Sequence, residues 1–376
     1  MNSELVALAA RLTPRALAEA EQLVAISSPS GDIPGAQRAI ELCAAALPPQ
    51  AELQRLTCAT DGCAPDLLAR LTGTGTRRLL LLGHLDTVFT HAQHRPPRRE
   101  PDRLHGSGTI DMKGGVALSL ALARELAQSP SRFAELALLL VCDEEWRTAP
   151  FAHAQRFAGY DACLCFEAGE RTAQGEEAVI IRRKGAGTLR VRAQGRAAHS
   201  GAAPAQGRSA LLALARTALE LEALSDPDGP AQLTVVPTVI RCGEAFNVVP
   251  ADGELVLDVR SSDAASFRRV LEAVPVVRED VSLSAVLERV WPAMDSGDTA
   301  APVLARAAAL LGAPVAGAAR GGASDASHLA QVIPLTIDGL GPCGAGAHTP
   351  QEHLELESVP RRLALALALS DAILGT

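Results

Sequence analysis

The chain has 376 residues, 48% of them hydrophobic and 21% charged, with a net charge of −8 and glycine and proline spread along its length. That length favours two domains over one and carries a core without disulfide staples. The acidic balance, with no long Lys/Arg run, argues against a nucleic-acid surface, so a small molecule or peptide is the partner that fits.

In chain order, MNSELVALAARLTPRALAEAEQLV places acids early and apolar residues at helical spacing. It reads as an amphipathic helix, centred near 14–26, and lacks the basic start and unbroken apolar stretch of a secretory leader. A helix is expected near 35–46, strands near 66–72 and over 78–83, a helix over 113–127 and a strand over 136–142. Such alternation implies an α/β fold with a mostly parallel sheet covered by helices on both faces.

From about residue 183 the pattern changes. TLRVRAQ alternates with period two, LLALARTALELEAL is helical, AQLTVVPTVI and GELVLDVR are strands, ASFRRVLEAV is a helix and VSLSAVLE a strand. This β-α-β-β-α-β order describes a compact inserted domain at 183–290, which interrupts a domain made of 1–182 and 291–376. The α/β texture then returns with a helix over 300–311, a Gly-rich turn at 321–324, the run VIPLTID and a final helix. The tail RRLALALALSDAIL starts charged and falls short of the roughly 20 apolar residues of a bilayer span. We therefore expect a cytoplasmic protein without membrane association. The eight cysteines contain no CxxC pair, and several lie in apolar runs, as reduced buried thiols do.

Three apolar runs stop at metal-seeking side chains: LLLLGHLD at His84 and Asp86, LALLLVCDEE at Glu144 and Glu145, and ACLCFE at Glu167. In an open α/β sheet, ligands bind outside the carboxyl ends of the strands, where such residues converge. His84 and Asp86 share a face at i and i+2, so the aspartate can fix the tautomer of a metal-binding imidazole. In HGSGTIDMKGG, Asp111 stands before a helix starting near Lys113, placed to bridge two metals. Adjacent residues of an extended segment point opposite ways, so one of Glu144 and Glu145 can be a ligand and the other a base. His348, in the Gly-rich GPCGAGAHTPQE, adds a second imidazole.

Taken in order, His84-Leu85-Asp86, the segment Gly106 to Gly115, Asp143-Glu144-Glu145, Glu167 and His348 resemble the zinc-dependent aminoacylase and carboxypeptidase family over nearly the whole chain. This family contains acetylornithine deacetylase, succinyl-diaminopimelate desuccinylase and bacterial glutamate carboxypeptidase. The segments GRAAHSGAAPAQGRSA, FNVVP, LDVRSSD, RGGASDASH and GLGPCGAGAHT look most like the glutamate carboxypeptidase branch.

The resemblance implies two Zn2+ per subunit, with Co2+ or Mn2+ as possible substitutes. Asp111 bridges them, Glu145 and His348 complete one site, and His84 and Glu167 the other. Glu144 is then the general base acting through a metal-bridged water, with Asp86 supporting His84. The inserted domain is implied to be a lid and dimerisation domain, from which His199 crosses to the partner of a homodimer to stabilise the oxyanion. For the substrate, a small peptide or N-acyl amino acid, the resemblance points to Asn247, Arg260 and Ser324. Arg320 is a further candidate, for a side-chain carboxylate, and Arg260 has the alternative of pairing with Asp258 or Asp263.

Release of a C-terminal acidic residue from an N-acyl or peptidyl group is the expected reaction. N-acyl-amino-acid deacylation or dipeptidase activity is the alternative within the same chemistry. A cysteine hydrolase built on Cys343 and His348 and a non-catalytic dimeric binding protein are the alternatives outside it. The sequence departs from the carboxypeptidase branch at Ala168-Gly169 and in the loop carrying His91, His94 and His105. These histidines, with His153, His328 and His353, are read as solvated, and Arg182, Arg183 and Lys184 as a solvated hinge.

Overall fold

In the computed structural model, which describes residues 3–147 and 149–375, the apolar run Arg78–His84 is buried beyond its first residue. Its neighbours on either side, Glu135–Val141 and Ala162–Cys165, are parallel strands of equal apolarity. A strand covered on both faces needs such an unbroken run. The sheet order is Glu52–Leu56, Asp66–Thr72, Glu135–Val141, Arg78–His84, Ala162–Cys165 and Thr336–Ile337. The last four strands are mutually parallel, and the first two add antiparallel pairs at one edge.

Leu79, Leu81, Leu136, Leu138 and Leu164 share a core with helices α1 (Ser3–Ala25), α2 (Ile33–Ala46), α3 (Lys113–Leu126), α6 (Gly297–Leu311) and α7 (Ser358–Leu374). The alternate side chains Leu80, Leu82 and Leu139 are equally buried, so neither face of the sheet meets water. Helix α1 starts eleven residues before the position centred on 14–26 and runs through Pro14. Proline costs a helix one hydrogen bond. Here Leu5, Ala9, Ala16, Leu17, Ala20 and Leu23 bury one continuous stripe, and that packing decides the outcome. The strand Glu177–Arg183, paired with Glu170–Arg171 and Val315–Arg320, has no counterpart among the expected elements.

The chain divides into two compact units. One comprises Met1–Arg182, Asp295–Ala319 and Ser324–Thr376; the other is Arg183–Met294 with Arg320–Ala323. The second unit has an antiparallel sheet ordered Thr234–Cys242, Asp252–Ser261, Gly185–Gln194 and Val281–Trp291, with the short Val277–Arg278 at its edge. Helices α4 (Ala210–Glu222) and α5 (Ala264–Glu272) pack on its apolar face, which carries Leu189, Val191, Leu255, Leu257 and Val259. Ser209 and Asp263 cap these helices through bonds from Leu212 N and Ala265 N.

Of Arg182 to Lys184, expected as a solvated hinge, Arg182 is exposed and Lys184 partly so, but Arg183 is not. Arg183 is buried and its Nη1 donates to Gly322 O at 2.7 Å, while Lys184 Nζ donates to Gln232 O at 2.8 Å. Arg182 pairs with Asp295 at 3.0 Å. Among the described residues no helix is long and apolar enough to cross a membrane.

Candidate metal centre

His84 closes the central strand, and Glu167 lies two residues beyond the neighbouring strand Ala162–Cys165. Asp111 lies between them in space: His84 Nε2 is 3.1 Å from Asp111 Oδ1 and 3.7 Å from Glu167 Oε1. The other oxygen of Asp111 faces a second group, with His348 Nε2 at 3.0 Å from Oδ2 and 3.3 Å from Glu145 Oε2. Two sets of metal-capable donors therefore share one carboxylate: His84, Asp111 and Glu167, and Asp111, Glu145 and His348. Within each set the donor atoms lie within 4.8 Å of one another.

The backbone shows why these residues meet. Gly115, in the first turn of α3, approaches Phe166 so closely that an added Cβ would lie 1.8 Å from the Phe166 carbonyl oxygen. The helix that follows Asp111 can thus lie against the chain carrying Glu167. Asp111 itself is held by Glu352, a buried acid outside every sequence expectation. Its carboxylate accepts from Gly108 N at 2.8 Å, Ile110 N at 3.0 Å and Asp111 N at 3.2 Å. Lys113, wholly buried, donates from Nζ to Ile26 O at 2.5 Å. His348 is in a left-handed conformation, φ 62°, within its Gly-rich turn.

Asp86 pairs with His84 as expected and has further partners. His84 Nδ1 lies 3.0 Å from the Asp86 backbone oxygen and 3.4 Å from its carboxylate. With its proton on Nδ1, the ring presents Nε2 as an electron-pair donor. The Asp86 carboxylate also accepts from Ser30 Oγ at 2.6 Å and from the backbone N–H groups of Glu144 and Glu145, both at 3.1 Å. These last two residues occupy a turn, not an extended segment, so alternation of side chains does not explain their division. The turn does separate them: Glu145 belongs to a donor group and Glu144 to neither.

Behind the turn, Arg147 is almost wholly buried between two carboxylates, with Nη2 at 2.7 Å from Asp143 Oδ1 and 3.1 Å from Asp325 Oδ2. Its guanidinium carbon lies 4.8 Å from the centroid of the Phe151 ring. Neither Ser30 nor Glu352 has a local sequence signature, because each partner lies far along the chain, and the triad is completed only by Asp325, which is distant in sequence from the neighbouring Asp143 and Arg147.

Electrostatics follow from burial among acids. Burial opposes charge on His84, yet Asp111, Asp86, Glu167 and Glu144 around it raise its pKa well above the usual imidazole value. His348 is pushed up to about 11, first by its bond to Asp111 and then by Glu145. Asp111 is moved down: burial works against the charged form, but its two histidines outweigh that. Burial, with Asp325, Glu167 and Glu145 nearby and only His84 opposing, holds Glu144 well above the carboxylate range. Such concentrated acid calls for positive charge. The buried oxygen Glu145 Oε1 has no hydrogen-bond partner, as a ligand atom directed at an ion would not. Two imidazoles and three carboxylates form a mixed set suited to zinc, cobalt or manganese.

The model of peptidase family M20/M25/M40 matches residues 80–371. This protein belongs to that family. The M20 protein is 27% identical over 321 residues to carboxypeptidase G2 of Pseudomonas sp. (strain RS-16), covering 81% of this chain and 76% of the relative. It is 30% identical over 330 residues to succinyl-diaminopimelate desuccinylase of Gluconobacter oxydans (strain 621H), covering 82% and 84%. Among solved structures, a tripeptidase of Staphylococcus aureus aligns with TM-score 0.77 at 19% identity, over 97% of this chain and 99% of that one. A dinuclear metal-binding M20 peptidase of Bacillus subtilis aligns at 0.72 and 14% identity, over 97% and 99%. The M20 protein is thus a hydrolase of a metal-dependent peptidase family with a mixed α/β fold.

The remaining expected positions fall as follows. In the second unit, Ala198–His199 pairs with Val248–Val249, and Asn247 O accepts from Ser200 N at 2.9 Å, so His199 and Asn247 share one loop cluster. Arg260 takes the alternative partner, with Nε 2.9 Å from Asp258 Oδ1. Ser324 is buried and its hydroxyl donates to Asp338 at 2.6 Å; Arg320 O accepts from Lys184 N. His153 and His328 are buried rather than solvated: His153 is 2.8 Å from Asp66, and His328 stacks on Phe151. His91 is exposed and bonded to Ser27, and His105 is bonded to Glu100. Burial pushes the Cys343 thiol up, against what a nucleophilic thiolate needs.

Proposed function

We propose that this protein is a di-zinc amide hydrolase that releases a C-terminal amino acid, glutamate or another acidic residue, from N-acyl or peptidyl substrates. The observation that carries this is Asp111, whose two oxygens face two separate imidazole and carboxylate groups. In this assignment Asp111 would be shared by both ions, with Glu145 and His348 helping to hold one and His84 and Glu167 the other. Ions so held supply acidification of water and polarisation of the scissile carbonyl.

The residues of the chain do the rest. Glu144 takes a proton from the attacking water onto a carboxylate oxygen as the water oxygen bonds to the carbonyl carbon. It then passes that proton to the leaving nitrogen as the C–N bond breaks, giving acid and amine. Its burial and its place outside both donor groups support that role. Asp86 and Ser30 hold the Glu144 turn and the His84 ring.

His199 is proposed to donate to the carbonyl oxygen from the inserted domain of a partner subunit, so the active form is a homodimer in which residues 183–290 serve as lid and contact. Its Nδ1 accepts from Gly201 N and Ala202 N, both at 3.1 Å, which leaves the proton on Nε2 and makes that atom the donor. Asn247, Arg260, Ser324 and Arg320 remain proposed contacts for the substrate's carboxylates; Arg260 must exchange Asp258 for substrate to serve. A second assignment, N-acyl-amino-acid deacylase, is favoured by the identity to the desuccinylase.

The test is amine release from N-acyl and dipeptidyl substrates ending in Glu, Asp, Ala, Arg or Leu, with metal-loaded protein and a chelated control. Preference for Glu or Asp supports the carboxypeptidase; preference set by the acyl group supports the deacylase. Glu144→Gln should keep bound metal and lose hydrolysis by about 10²-fold or more, since the amide cannot accept the proton. Loss of metal with activity would show that base and ligand are exchanged.

A further inference from the structure

Aromatic residues make up only 3% of this chain, and nearly all of its large ones are buried. Trp146 is the exception in the larger unit, 63% exposed and next in sequence to Glu145. Its ring lies over Gly31, where an added Cβ would sit 3.3 Å from ring carbon Cζ3. Gly31 has φ +84°, a further reason for glycine there. One part of the indole rests on backbone, and the remainder is open to solvent.

Two more exposed apolar side chains flank this region in sequence: Ile33, the first residue of α2 and two after Gly31, and Val88, in the loop next to Thr87. The segments before them are braced together: Ser30 N donates to Thr87 O at 3.2 Å and Thr87 N to Ser28 O at 3.0 Å. Both converge on Asp86, which also holds the Glu144–Glu145 turn. Scattered exposed apolar residues need no explanation, but these lie within three residues of the segments braced to Asp86 and to the Glu144–Glu145 turn, next to the donor sets.

We propose that Trp146, flanked by Ile33 and Val88, is the subsite for a bulky or long apolar acyl group on the substrate, which makes Trp146 a specificity-determining residue. This rests on the amide-hydrolase assignment above. Consecutive Cα atoms are about 3.8 Å apart, so an indole one residue after Glu145 is within reach of a group attached to the scissile carbonyl. The two ends of an N-acyl acidic amino acid differ in charge. Its amino-acid end carries carboxylates, which gain nothing from the carboxyl-rich turn beside Trp146, whereas an uncharged chain desolvates the ring without stranding a charge.

The chain's two tryptophans make a direct test possible, because Trp291 is buried in the other unit. Metal-loaded protein is titrated with acetate, butanoate, hexanoate and octanoate, and the emission of Trp146→Phe is subtracted as the blank. Octanoate should shift the Trp146 emission to the blue, with binding about twofold tighter per added CH2, roughly half the free energy of full burial. In kinetics, the ratio of kcat/KM for N-octanoyl-glutamate over N-acetyl-glutamate should fall about tenfold in Trp146→Ala. Emission unmoved by octanoate, or an unchanged ratio in the variant, overturns the proposal. A purely structural ring would lower the melting temperature and slow both substrates alike, leaving the ratio intact. If octanoate shifts the emission while neither N-acyl-glutamate is cleaved, the subsite stands and the amide-hydrolase assignment falls.

Discussion

Arg147 and Arg190 each face two carboxylates, yet they teach opposite lessons. Arg147 is almost wholly buried between Asp143 and Asp325, directly behind the Glu144–Glu145 turn. Arg190 lies on the water-facing side of the inserted domain's sheet, pairing with Glu254 and Glu288. Desolvated charges are costly and persist where geometry must be fixed, whereas solvated pairs are close to neutral in effect. The end of the larger sheet is therefore a region of specified charges, whereas the Arg190 pairs on the inserted domain's sheet are solvated.

The largest effect we expect is from Arg147→Met. With Asp143 and Asp325 left buried and unpaired, unfolding in urea should show a loss of about 3–5 kcal/mol. A loss no greater than that of a surface variant would break the contrast. Next comes Asp66, which accepts from Cys142 N at 2.8 Å and lies 2.8 Å from His153. Burial raises its pKa from 3.8 to about 6. A raised carboxyl binds its proton more tightly folded than unfolded, so its contribution is full below about pH 4 and lost as pH climbs through 6, by about 3 kcal/mol. Asp66→Asn should flatten that part of the stability profile between pH 4 and 7; an unaltered slope would place the titration elsewhere.

A smaller change is expected from Asp86→Asn, which weakens the acceptor shared by Ser30 and the Glu144–Glu145 turn. Metal affinity, read by competition with a chelator, should drop about 10- to 100-fold. Retention of full affinity would mean that the turn is held without it. Smallest of all, Arg190→Ala should leave the urea midpoint indistinguishable from wild type, at low and high salt alike. A salt-dependent fall would show that the outer pairs act as a network.

The donors were legible because parallel strands demand unbroken apolar runs, and where LLLLGH and ACLCFE stop, the chain leaves the sheet at one common edge. The inserted β-α-β-β-α-β order was legible for a similar reason, since period-two alternation marks strands with one solvated face. What failed depends on distant partners. The 143–146 turn is set by Asp86, the burial of His153 by Asp66, and the passage of α1 through Pro14 by its packing stripe. Arg183 looked like surface because three basic residues in a row normally are, yet Gly322 lies against it. Glu352 gave no sign at all, because an acid four residues after His348 is unremarkable until the loop it holds is in view.

That Glu352 contact has a bearing on biosynthesis. It ties residues separated by 241 to 244 positions, and His348 comes from the same late segment. While the nascent chain is still short of these residues, the loop before α3 lacks its clamp and one donor group lacks its imidazole. Every strand of the larger sheet, Thr336–Ile337 included, and the whole β-α-β-β-α-β insert precede these residues in the chain and are translated before them. Capture of ions by both donor groups would therefore have to wait until residues 348–352 are made, and until then the acids at the sheet edge lack His348.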